Sequence, residues 1–67
     1  MSENNPRMAA QRYLRRRAVE ELTGLSRSTI YHLMSLGQFP RQVKLTAKAV
    51  AWAEGDVAQW LAERPHA

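Results

Sequence analysis

Residues 23–34, TGLSRSTIYHLM, set a helix stop and a helix start within three residues of each other. Gly24 is free to take the left-handed backbone that ends helices. Ser26 is a favoured N-cap, able to accept a hydrogen bond from the backbone N–H of Ser28 or Thr29. Leu25 before the cap and Ile30 four residues after it hold the two positions of a hydrophobic staple. The spacing predicts a helix over 27–36, stopped at Gly37 and barred from resuming by Pro40. Two structures fit this corner: a plain two-helix bend, or a helix-turn-helix that presents its second helix to DNA.

The two faces of the second helix differ in chemistry. Ile30, Leu33 and Gly37 share one side, with Thr29 and Met34 at its edges. Arg27, Ser28, Tyr31, His32 and Ser35 share the other, which carries no acid and is rich in groups that bond phosphates or base edges. A solvated helix face usually mixes charge signs, often as Glu–Lys pairs.

Upstream, RAVEELT (17–23) reads as a first helix, with Val19 and Leu22 as its apolar stripe and Ala18 beside them. Arg12, Arg15, Arg16 and Arg17 surround Tyr13 and Leu14, a segment expected to be extended. It suits either an arm that tracks phosphates or plain solvated charge. Residues 1–11 are polar and aperiodic, expected as a flexible tail.

Downstream, VKLT (43–46) and AVAWA (49–53) alternate with period two and predict a hairpin wing. Val43 and Leu45 fall on one face of the first run, Val50 and Trp52 on one face of the second. A loose loop of Thr46, Ala47 and Lys48 should join them, since no Asn-Gly or Asp-Gly is present. Lys44 and Lys48 are expected to project outward. A third helix is expected over 54–64, with Glu54 and Asp56 at its positive end and Val57, Trp60 and Leu61 inward. Trp52 and Trp60 are read as core aromatics, and residues 65–67 as a short tail.

Composition narrows the function further. The 67 residues hold ten Lys and Arg against six Asp and Glu, a net charge of +4, and no cysteine. That excludes disulfides, a thiolate nucleophile and a thiolate metal site. His32 and His66 lie far apart without a carboxylate at ligand spacing, so no metal is expected, and no cofactor either. Nine of the ten basic residues precede residue 50, which implies an anionic partner, nucleic acid foremost. No apolar run approaches the ~20 residues of a membrane span. MSENNPRMAAQ at the start lacks a signal-peptide core, so the expected setting is the cytoplasm. No catalytic set or phosphate loop appears, and an enzyme is not expected.

The whole pattern is that of a mainly α domain with a small β-hairpin wing, a winged helix-turn-helix over residues 12–64. ELTGLSRSTIYHLMSLGQFPRQVKL, followed by AVAW, an acidic helix start and VAQWL, resembles the AlpA family of small phage- and prophage-associated regulators. That family sits in the broader excisionase/MerR-like winged-helix group. The resemblance covers residues 12–63 and implies a transcription regulator, often of an integrase gene, or an excisionase-type directionality factor, without catalytic activity. It implies that Arg27, Ser28, Thr29, Tyr31 and His32 lie on the recognition-helix surface and that Lys44 and Lys48 belong to the wing. It also marks departures: His32 and Arg16 where a base and an apolar residue are usual, and a wing tip of Thr46, Ala47 and Lys48 in place of a Gly-rich turn. Ala51 and Ala53 stand where Arg is common, which turns a face of Ala49, Ala51 and Ala53 outward and leaves Arg15, Arg16 and Arg17 to compensate.

The expected function is therefore sequence-specific binding of double-stranded DNA, with helix 27–36 in the major groove and the 43–53 wing on the backbone. Arg27 suits a phosphate or a guanine edge; Ser28 and Thr29 suit phosphate contact or helix-start bonding. Tyr31 suits a phosphate contact or a ring lying on its own domain. The alternatives are an excisionase that bends attachment-site DNA beside an integrase, and a protein adaptor that docks through the alanine face. One such domain covers roughly 600–1,000 Å² of DNA interface, so an integrase or neighbouring copies on DNA are expected partners.

Overall fold

In chain order, the computed structural model contains β1 (Tyr13–Leu14), α1 (Arg16–Thr23), α2 (Arg27–Ser35), β2 (Val43–Thr46), β3 (Ala49–Ala53) and α3 (Glu54–Ala62). The structure describes residues 12–65. The tail expected at 1–11 lies outside the described residues, as do positions 66 and 67 of the tail expected at 65–67, with His66. The architecture is a winged helix-turn-helix: three helices and a small antiparallel sheet whose β2–β3 hairpin is the wing.

Local chemistry sets the central corner. Gly24 closes α1 at φ 76°, its N–H on the Glu20 carbonyl. Ser26 caps α2 by accepting from the Thr29 N–H at 3.2 Å. At the far end, the Gln38 N–H reaches the Leu33 carbonyl and the Gly37 N–H the Met34 carbonyl, with Gly37 at φ 71°. That pair of bonds is a Schellman motif, which satisfies carbonyls the helix itself cannot.

β3 is the middle strand of the sheet, between β1 and β2. Tyr13 and Leu14 pair with Ala53 and Trp52, so the segment expected to be extended is a short edge strand of the sheet. The Glu54 N–H bonds the Arg12 carbonyl at 2.9 Å, tying the start of β1 to the start of α3.

This third strand overturns one expectation. Ala51 is fully buried and Ala53 nearly so, because on the middle strand each Cβ has a neighbour alongside: Val43 beside Ala51 and Tyr13 beside Ala53. There is no outward alanine face.

The wing corrects two more. A bulge between Lys44 and Thr46 leaves Leu45 out of register, so it does not share a buried face with Val43 and is 44% exposed. The turn is a tight one at Ala47–Lys48, where Thr46 Oγ1 accepts from the Lys48 N–H at 3.1 Å. A side-chain turn of this kind replaces the Asn-Gly chemistry the sequence lacks.

Val19, Ile30, Phe39, Trp52 and Val57 form the core, with Leu14, Leu25, Leu33, Met34, Trp60 and Leu61 partly buried against it. Full burial of an aliphatic side chain such as Ile30 contributes about 1.5–3 kcal/mol. Phe39 packs edge-on against both Trp52 and Trp60. The two indole N–H groups donate to the Pro40 and Gln38 carbonyls, which offsets the cost of taking them out of water. Leu22 is not in the core. Val19 and Thr23 set the inward side of α1, the Thr23 hydroxyl donating to the Val19 carbonyl, and Leu22 is left at the rim, half exposed. α3 ends at Ala62 rather than 64: Pro65 disfavours helical backbone at Arg64, whose Nε bonds the Trp60 carbonyl at 3.0 Å.

Candidate nucleic-acid interface

Two clefts lie on either side of Tyr31. The shallower, about 290 Å³, is lined by Arg27, Ser28 and Tyr31, all on α2. The second, about 310 Å³, gathers Arg15, Arg16 and Arg17 from the start of α1, Tyr31 from α2, and Lys48 and Val50 from the wing. Three elements that are far apart in sequence thus converge on one cationic groove.

The register explains the convergence. Leu14 faces Trp52 across β1–β3, which seats the following arginines beside the same strand that carries Val50. Lys48 immediately precedes β3 and comes with it. The first turn of α1 contains no acid, and Arg15, at its N-cap, makes no side-chain cap. Arg16 bonds Glu20 at 2.9 Å. Arg15, Arg17, Arg27, Lys44 and Lys48 have no acidic partner among the described residues. Potentials from clustered like charges add, so this groove attracts an anion more strongly than scattered bases of the same number.

Tyr31 is held on the ridge between the clefts. Its ring lies edge-on to Trp52 with centroids 6.4 Å apart, and the Arg27 guanidinium sits 5.7 Å from its centre. Its hydroxyl accepts from Gln42 Nε2 at 3.0 Å. The ring packs on its own domain, and Tyr31 is 38% exposed.

The other expected site residues divide. Ser28 and Thr29 are exposed, but their hydroxyls are engaged at the helix start: Ser26 Oγ donates to Thr29 Oγ1 at 2.9 Å and lies 3.3 Å from Ser28 Oγ. His32 is exposed on the same helix yet lines neither cleft. Lys44 is exposed on β2, opposite Val50, and also lies outside both. Val50, expected to share a strand face with Trp52, is a groove wall. Gln42 carried no signal in the sequence, because only the fold brings the stem of the wing against α2.

Among the described residues no helix is long and apolar enough to cross a membrane, and no group of three His, Cys, Asp or Glu is placed to hold a metal.

A family model described as prophage CP4-57 regulatory protein (AlpA) matches residues 12–65. The chain is 49% identical over 59 residues to the "uncharacterized protein ORF88" of Enterobacteria phage P4, covering 88% of this chain and 67% of that one. It is 36% identical over 62 residues to the DNA-binding transcriptional activator AlpA of Escherichia coli K12, covering 84% of this chain and 89% of that one.

Proposed function

The chain belongs to the AlpA family of prophage regulatory proteins, and from that premise we propose that it is a sequence-specific double-stranded DNA-binding protein acting as a phage-type transcription regulator. The observation that carries this reading is the groove in which Arg15, Arg17 and Lys48 meet Tyr31, continuous through that ring with the Arg27 cleft. A surface of bases from three elements, most of them without an acidic partner among the described residues, suits a curved polyanion better than a small acid.

In this reading, residues 12–64 are the DNA-binding unit. α2 enters the major groove, which is wide enough for a helix, with Arg27, Tyr31 and His32 turned to DNA. Ser28 and Thr29 hydroxyls fix the helix start first and reach phosphate second. Lys44 and Lys48 of the wing, with Arg15 and Arg17, hold the flanking backbone. Phosphate contacts of this kind set position and affinity, while base-edge contacts from α2 carry the sequence. The modest interface favours repeated sites, occupied by neighbouring copies or shared with an integrase. The protein needs no cofactor for this activity and performs no catalysis.

A gel-shift titration at two salt concentrations tests it, comparing DNA upstream of the protein's own gene with scrambled DNA. Wild type should bind the upstream DNA selectively and more weakly at the higher salt. The folded Arg27→Ala/Tyr31→Ala variant should lose that selectivity. Folded wild type that shifts neither DNA at low salt would end the proposal.

A further inference from the structure

Gln42 has no role of its own so far, yet its side chain lies against the recognition helix, on the Tyr31 hydroxyl. The buried Trp52 indole donates to the Pro40 carbonyl at 3.1 Å, which anchors the stem of the wing beside α2. Two residues on, Gln42 Nε2 donates to the Tyr31 hydroxyl at 3.0 Å. The ring is held edge-on by Trp52 and flanked by Arg27. A phenol has a single hydrogen and an oxygen that accepts. With the oxygen accepting from Gln42, the hydrogen remains to be donated, and no acceptor for it is present among the described residues.

What that hydrogen meets is set by its surroundings. Tyr31 lines the cleft of Arg27 and also the groove of Arg15, Arg17 and Lys48. An acceptor at this ridge therefore lies in a field of positive charge on both sides, which favours an anionic oxygen over a neutral one. A Gln42 that accepted instead would consume the hydrogen and present the phenol to the same place as an acceptor, the wrong polarity for a phosphate.

We propose that Gln42 is a positioning residue that commits the Tyr31 hydroxyl to donate to one particular backbone phosphate, which the recognition helix and the stem of the wing then hold as a unit. The proposal rests on the DNA-binding reading and adds to it a residue and a single contact. Tyr31 and Gln42 should accordingly act together, not as independent contributors.

The test uses the full chain and a duplex selected from a random pool by the wild-type protein. Each backbone phosphate of the duplex is replaced in turn by an uncharged methylphosphonate, and affinity is measured for wild type, Tyr31→Phe, Gln42→Met, Gln42→Glu and the Tyr31→Phe/Gln42→Met double variant. Thermal melts check that each is folded. Wild type should be sensitive at several phosphates, and at one of them the loss, about tenfold, the scale of one charge-assisted hydrogen bond, should depend on Tyr31 and Gln42. Tyr31→Phe, Gln42→Met and Gln42→Glu should each become insensitive there while keeping sensitivity at other phosphates. The double variant should bind no more weakly than Tyr31→Phe alone. A Gln42→Met variant with the wild-type pattern, or a double variant whose loss is the product of the two single losses, overturns the proposal and leaves DNA binding intact. A folded wild type that selects no duplex overturns both.

Discussion

Removing the three unpartnered groove cations should change the salt dependence of binding by a calculable amount. Arg15, Arg17 and Lys48 line one groove and face no acid among the described residues. Each phosphate contact steepens log K against log salt by about 0.9, so Arg15→Ala/Arg17→Ala/Lys48→Ala should be shallower by about 2.7. Between about 50 and 200 mM salt, wild-type affinity should fall about 40-fold further than that of the triple variant. The fold should survive, since Arg15 makes no capping bond and the three side chains are exposed. Fluorescence anisotropy with a random-sequence duplex is the assay, because the electrostatic term does not depend on the target. Arg16→Ala is the internal comparison: its charge is already offset by Glu20, so its slope should move by less than about 0.5. A triple variant whose slope stays within about 0.5 of wild type would refute the groove as the seat of phosphate contact. Equal flattening by Arg16→Ala and Arg17→Ala would refute the assignment of Arg16 to Glu20.

Ser26→Ala removes the acceptor for the Thr29 N–H and should cost about 1 kcal/mol, seen in thermal melts as a drop of about 4–8 °C. Gly37→Ala meets no atom within 4 Å, so its cost is purely that of holding φ at 71°; urea titration should show a loss of about 1–2 kcal/mol. Ile30→Val in the sealed core should cost about 0.5–1.5 kcal/mol by the same titration. Leu45→Ser, at the exposed bulge, should stay within about 0.5 kcal/mol of wild type.

The corner around Gly24 and Ser26 was legible because its signals are local: a left-handed glycine, a capping hydroxyl and a staple lie within a few residues. The period of VKLT and AVAWA gave the hairpin for the same reason. What escaped was every consequence of long-range pairing. Nothing near Tyr13 says that it will lie against Ala53, and without that strand Ala51 and Ala53 read as outward. Leu45 obeys the alternation that a one-residue bulge then breaks. Phe39 and Gln42 sit in an irregular stretch with no period to read, so the core role of one and the Tyr31 contact of the other appear only once Trp52 has anchored the loop. At the site, the sequence named the charged residues; the Arg16–Glu20 pair is local, at i,i+4 on one helix, but the sorting of the others into groove and open surface depended on the register of β3.

The middle position of β3 also decides when the groove comes into being. As the chain leaves the ribosome, the arginines of α1 and the whole of α2 emerge first, and α2 has its caps at hand. The strand that aligns Val50 and Lys48 with those arginines is made later, and its pairing with β1 closes a long loop, a slow kind of step compared with local helix formation. Positive charge is therefore present on the nascent chain before any shape to direct it. Until β3 docks, only the general attraction of those bases for an anion is present; in the proposed reading, discrimination among sequences arrives with the finished sheet.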